Sequence, residues 1–170
     1  IDKNTRPLRD IVKEAIFNLI EHSNKFNIFV SDSNILDLFS GSGSFGIECI
    51  SRGAKNTTFI ENYPNALTVL KNNIISIQSI KNSKIIESDC FNYFKIKNNF
   101  IDKFNIIFLD PPYKEKKINF LIKKIKEEKI LHDDGIIIIH RHKKDEIEIT
   151  NKLNILETRY YGISKIIIGN

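Results

Sequence analysis

Asp110-Pro111-Pro112-Tyr113 is the segment of this chain best furnished for chemistry on an amine. Two consecutive prolines fix the backbone and remove two amide donors, which leaves the Asp110 side chain and a nearby main-chain carbonyl as acceptors. An exocyclic base amine is a poor nucleophile because its lone pair is delocalised into the ring. Two acceptors gripping its N–H bonds favour pyramidal nitrogen and aim the lone pair at an electrophile. Catalysis is then positioning plus stabilisation of positive charge developing on nitrogen. Asp110 can also take the released proton, directly or through water. Tyr113 offers a flat face for stacking a base, worth ~1–3 kcal/mol by analogy with single-strand binding. The competing reading is a rigid turn that ends a strand, with Tyr113 plugging the core.

A second group precedes it. Gly41-x-Gly43-x-x-Gly46 lies between a strand pattern and a helix pattern, where nucleotide-type ligands bind in open α/β sheets. Glu61, 18 residues after Gly43, stands at the end of the next strand and is placed to accept from ribose hydroxyls. The loop alone does not choose between a dinucleotide and S-adenosylmethionine. Asp37, four residues before Gly41, favours the second, because a carboxylate suits an ammonium and repels a pyrophosphate. Its alternative role is to accept hydrogen bonds from loop amides. Asp89-Cys90 is the next point on that edge, where Asp89 either accepts from an adenine amine or caps a helix. No basic residue adjoins Cys90 to activate it as a nucleophile.

These residues need a scaffold, and the pattern supplies one. From Leu8, apolar residues Ile11, Val12, Ala15, Ile16, Leu19 and Ile20 recur at helical spacing behind Pro7. Strands are predicted at 35–39, 57–61, 84–87, 104–109 and 135–139. Helices are predicted after Gly46 to near Gly53, from Pro64 to about Ser79, at Asp89-Cys90, and over 118–130. Two last runs, 154–160 and 163–169, are joined only by Tyr161-Gly162, which forces an antiparallel hairpin. The sum is a mainly parallel, doubly wound α/β sheet, read as a single domain over residues 1–170.

Composition agrees with a folded domain. A chain of 170 residues buries roughly 70% of its unfolded surface. No apolar run approaches the ~20 residues of a membrane helix, and no signal-peptide pattern opens the chain. The two cysteines, Cys49 and Cys90, form no metal-type pair, so neither a metal site nor a disulfide framework is expected, and a cytoplasmic setting follows. The net charge of +5 leans toward a polyanionic partner, although lysine-rich composition explains such an excess equally well. The sequence opens at Ile1 and contains no methionine, so the natural N-terminus is expected further upstream.

The whole pattern resembles a class I S-adenosylmethionine-dependent methyltransferase, and more closely the RsmD family of 16S rRNA (guanine-N2)-methyltransferases. The resemblance is carried by Arg6-Pro7, Glu14-Ala15-Ile16-Phe17-Asn18 and Leu36-Asp37-Leu38-Phe39-Ser40-Gly41-Ser42-Gly43. Ser51-Arg52-Gly53-Ala54, Glu61, Asp110-Pro111-Pro112-Tyr113 and Arg159-Tyr160-Tyr161-Gly162 complete it. It implies a Rossmann-like, seven-stranded sheet of order 3-2-1-4-5-7-6, with strand 7 antiparallel and helices on both faces. It implies S-adenosylmethionine held by Asp37, Phe39, Gly41, Ser42, Gly43, Glu61, Asn62, Asp89 and Cys90. The implied substrate is a guanine of 16S rRNA, in the small ribosomal subunit or its assembly intermediate, flipped from its stack to reach the pocket and met by a monomeric enzyme.

Lys114, Lys116 and Lys117 after the proline turn, and Arg141, Lys143 and Lys144 after the fifth strand, are candidates to position phosphates, together with Arg6. The bland alternative is a solvated lysine-rich surface. Two departures stand out. Relatives usually begin with a basic β-hairpin ahead of the Arg-Pro segment; without it, binding of cofactor but weak methylation is expected. Many also carry a glutamate where this chain has His140, and the sequence offers no account of that change. Other readings remain: amines of adenine, cytosine or protein glutamine, a dinucleotide-dependent oxidoreductase, or a nucleic-acid-binding module without catalysis.

Overall fold

In the central parallel strands, runs of Ile, Leu and Phe are buried on both faces, as sheets covered by helices on each side require. The computed structural model describes residues 10–96, 103–145, 148–149 and 152–170. Helices α1 (Asp10–His22), α2 (Ser44–Ser51), α3 (Pro64–Ser76), α4 (Cys90–Tyr93) and α5 (Ile118–Glu127) alternate with seven strands. These are β1 (Asn34–Leu38), β2 (Asn56–Glu61), β3 (Ser83–Glu87), β4 (Phe104–Leu109), β5 (Leu131–His142), β6 (Ile155–Tyr161) and β7 (Ser164–Gly169).

The strands form one sheet of order β3-β2-β1-β4-β5-β7-β6. All neighbours are parallel as far as β5, and β7 runs antiparallel to both β5 and β6. This is the Rossmann-like class I arrangement, with the expected strand order.

The period-2 alternation of each strand splits the core. Leu36, Leu38, Ile107, Leu109, Ile137 and Ile139 pack against Leu121, Ile122 and Ile125 of α5. On the other face, Ile35, Ile106, Phe108, Ile136 and Ile138 meet Val12, Ile16, Phe17 and Ile20 of α1 and Phe45 of α2. Phe45 stacks between Phe17 (5.3 Å) and Phe108 (4.1 Å), which fixes α2 and the loop before it onto the sheet.

Some boundaries differ from the expected ones. Ile11 lies off the buried stripe of α1 and is 69% exposed. Helix α3 stops at Ser76 and α5 at Glu127; Gln78 (φ 55°) and Lys129 (φ 53°) then adopt left-handed backbone that no helix continues through. Strand β5 is much longer than the run 135–139: at its start Leu131 pairs with Phe104 across a register shift, and at its end β7 pairs with it through His140, Arg141 and His142 after β4 has ended. Arg6 and Pro7 fall outside the described residues.

Candidate active site

The register of three strands sets the site. Leu38 of β1 pairs with Ile60 of β2 and with Leu109 of β4. The next residue on each strand, Phe39, Glu61 and Asp110, therefore lies on one edge of the sheet. The Asp110 amide donates to the Leu38 carbonyl (3.4 Å), and the Ser40 amide to the Ile60 carbonyl (3.2 Å), so the chain leaves both strands at the same level. The glycine loop and the proline turn thus share the crevice outside the carboxyl ends of the strands, where open α/β sheets bind ligands.

Glu61 is the strut of the loop. It is 9% exposed, its Oε2 accepts the Gly41 amide at 2.7 Å, and its Oε1 accepts the amides of Asn62 and Tyr63 at 2.8 Å. Gly41 (φ +56°) and Gly43 (φ +81°) hold the left-handed backbone that the turn needs. A Cβ on Gly41 would meet nothing within 4 Å, so the loop is open on that side; one on Gly43 would strike Leu70 at 2.4 Å. Phe39, at φ 60°, carries local strain of the kind that gathers at ligand sites. Its ring packs on Phe91 at 5.8 Å, and the Ser42 carbonyl accepts from Asn73 at 3.0 Å.

Asp37 sits beneath the loop rather than in the open crevice. It is 1% exposed, and its Oδ2 accepts the Gly46 amide at 3.0 Å. Burial, with Asp110 and Glu61 nearby, pushes its carboxyl up to about 8. The bond formed here is to an amide in the first turn of α2. Asp89 likewise caps α4, its Oδ1 accepting the Asn92 amide at 2.9 Å. The Cys90 thiol is buried and held far above its ordinary value by desolvation, so it supplies no thiolate. Among the described residues no group of His, Cys, Asp and Glu is arranged to hold a metal ion.

On the turn, Pro111 is buried while Pro112 and Tyr113 are exposed. Tyr113 does not plug the core: it is 40% exposed, with its ring angled against His140 (6.4 Å) and His142 (5.3 Å). Asp110 keeps part of its surface open and meets His140, whose Nδ1 is 2.8 Å from Asp110 Oδ1. His140 Nε2 in turn lies 2.9 Å from Ser164 Oγ on β7.

Arg141 requires a correction. Expected to reach phosphate, it is 2% exposed, and its guanidinium donates to the carbonyls of Pro112 (3.2 Å), Tyr113 (3.0 Å) and Glu115 (2.9 Å). It also pairs with Asp145. Its donors hold the proline turn instead of facing solvent. Lys114, Lys116, Lys117, Lys143 and Lys144 are exposed. Lys117 Nζ lies 6.0 Å over the Phe91 ring. In the chain these lysines follow the ends of β4 and β5.

The His140–Ser164 pair and the Arg141 clamp are what sequence reasoning missed. One signal was present: Leu109 and Ile139 end the apolar runs of neighbouring strands, and Asp110 and His140 follow them directly.

Fold and crevice together define a class I methyltransferase. The chain belongs to the RsmD-type rRNA methyltransferases: the family model described as conserved hypothetical protein 95 matches residues 2–170. It is 32% identical to "Putative rRNA methyltransferase YlbH" of Bacillus subtilis, over 97% of this chain and 87% of that protein. It is 34% identical to ribosomal RNA small subunit methyltransferase D of Buchnera aphidicola, over 82% of this chain and 66% of that protein. A solved Streptococcus pyogenes protein, described as conserved hypothetical, shares the fold with a TM-score of 0.78 at 26% identity, over 92% and 93% of the two chains. An RNA methyltransferase from Salinibacter ruber, solved in complex with S-adenosyl-L-homocysteine, shares the fold at a TM-score of 0.67 and 14% identity, over 96% and 92%.

Proposed function

We propose that this chain methylates the exocyclic N2 amine of a guanine in 16S rRNA, using S-adenosylmethionine, with the base flipped into the proline turn. The observation that carries this reading is the shared edge: Asp110 stands one strand away from Phe39 and two from Glu61, so an amine held by the turn faces a ligand held by the loop.

The residues present fit the cofactor. The open side of Gly41 leaves room for it. Glu61 and Asn62 would hold the ribose, and Asp89 the adenine. When bound, S-adenosylmethionine supplies an electrophilic methyl whose bonding electrons stay with sulfur. Asp110 and a carbonyl of the turn accept the two N–H bonds, directing the nitrogen lone pair to that methyl. Asp110 Oδ2 then receives the proton that the nitrogen gives up. Tyr113 stacks the flipped base with its exposed face.

The lysines at 114, 116, 117, 143 and 144 position rRNA phosphates around the opening. The partner is 16S rRNA in the small subunit or its assembly intermediate, met in the cytoplasm by a monomer. No described helix is long and apolar enough to cross a membrane.

Mass spectrometry of nucleosides from small subunits treated with enzyme and labelled donor tests the reading. Labelled N2-methylguanosine supports it; label only in adenine, cytosine or protein glutamine overturns the substrate. Tight NAD binding with no response to the methyl donor would instead make the chain an oxidoreductase. RNA affinity without transfer would leave a binding module.

A further inference from the structure

We propose that His140 is a positioning residue for Asp110, held as the neutral Nδ1–H tautomer by Ser164, so that only Oδ2 of Asp110 is left for the substrate amine. This inference rests on the reading of Asp110 as the acceptor of that amine.

An ionised carboxylate only accepts, so the contact of 2.8 Å between Asp110 Oδ1 and His140 Nδ1 requires hydrogen on Nδ1. In the proposed neutral form Nε2 presents a lone pair, and the Ser164 hydroxyl, 2.9 Å away, is within reach to donate into it. Donation therefore runs in one direction, from Ser164 through His140 to Asp110, and ends on Oδ1.

Both supporting groups are removed from water: His140 is 6% exposed and Ser164 3%. They sit on adjacent strands whose antiparallel pairing fixes them, with His142 opposite Ser164 and His140 opposite Ile166. Asp110 stands on the strand at the other side of β5, directly after the Leu109–Ile139 pair. Three strands thus lock one carboxylate oxygen.

Two consequences follow for the reaction. The plane of the Asp110 carboxylate is set before substrate arrives, so less ordering remains at the moment of reaction. In the proposed tautomer Oδ1 is occupied by a ring N–H, and Oδ2 is left to accept from the amine. The neighbouring Arg141 guanidinium is committed to the carbonyls of the turn and to Asp145, and does not compete for Oδ1.

The test compares two substitutions with a spectroscopic reading. In His140→Asn the side-chain amide nitrogen takes the place of Nδ1 and still donates to Asp110. In His140→Leu the donor is gone. Expected are near-parental kcat for Asn and a loss of about 10- to 100-fold for Leu, as for other residues that orient a reacting group. Dissociation constants for S-adenosylmethionine should be unchanged in both. Equal losses in both variants, or full activity in the leucine variant, overturn the proposal.

Nitrogen-15 correlation spectra of the imidazole in the wild-type protein give a reading that needs no substrate. They should show Nδ1 protonated and Nε2 bare, with the Nε2 signal shifting in Ser164→Ala. An Nε2–H tautomer or an imidazolium at working pH overturns the proposal, whatever the substrate and even if the leucine variant does not fold. A correct tautomer in a protein that methylates no guanine would defeat the substrate assignment alone.

Discussion

The carboxylate of Glu61 reaches back from the end of β2 to the amide of Gly41 at 2.7 Å, so the first glycine of the loop is tied to the neighbouring strand. The same side chain is the one proposed to meet the ribose. Glu61→Ala removes a charged acceptor from three main-chain amides, each such bond being worth about 1.5–3 kcal/mol. The expected outcome is at least about tenfold weaker binding of S-adenosylmethionine, equivalent to ~1.4 kcal/mol, with a lower melting temperature. Calorimetry showing parental affinity would remove Glu61 from the cofactor site.

Asp110→Ala should separate binding from chemistry. Its carboxylate does not touch the glycine loop, so affinity for the methyl donor should stay within a few fold. Turnover should fall by about 10²–10⁴, the range for a positioned acid–base group. Equal losses in kcat and donor affinity would assign the residue to the scaffold.

Arg141→Ala and Lys144→Ala should fail in different ways. Loss of the buried guanidinium strands three carbonyls and Asp145, and about 3–5 kcal/mol of stability is expected to go with it. Lys144 is exposed, and its removal should leave stability intact while flattening the salt dependence of RNA binding by roughly one phosphate contact. Chemical denaturation and binding at several salt concentrations check both. A stable Arg141→Ala protein with a flattened salt slope would return that residue to the RNA surface.

Asp37 predicts a pH-dependent stability. Its carboxyl is raised from 3.8 to about 8 in the folded protein, so below pH 4 folded and unfolded chains both hold the proton and no penalty exists. As pH rises from 4 toward 8, the unfolded chain ionises first, and the folded state loses roughly 1.4 kcal/mol per unit before levelling off. Asp37→Asn abolishes this slope, because an amide does not titrate. Any cost of the buried amide hydrogens, about 1–3 kcal/mol, is the same at every pH. Urea denaturation of both proteins from pH 4 to 9 should show a difference growing in the variant's favour with pH. A constant difference would mean that Asp37 is ionised when folded.

Much of this molecule is legible in its sequence because the apolar runs end where the chemistry begins. Leu38, Ile60 and Leu109 are the last apolar residues of their strands, and Phe39, Glu61 and Asp110 follow at once; knowing that the strands are parallel suffices to bring them together. The roles of His140 and Arg141 depend on something that local patterns do not encode, the register of β7 on β5. That pairing carries β5 past its apolar core and puts Ser164 behind His140 and Arg141 under the turn. Asp37 shows the opposite case: its position was plain, but whether it faced ligand or loop depended on the path of the Gly43–Gly46 backbone above it.

The sheet order also governs when the acceptor is finished during synthesis. A growing chain that has passed β5 already possesses the glycine loop, the proline turn and His140, yet nothing stands behind the imidazole. Ser164 arrives with β7, the strand that joins β6 to β5 in the finished sheet. The brace of the acceptor is thus the last part of the site to be synthesised.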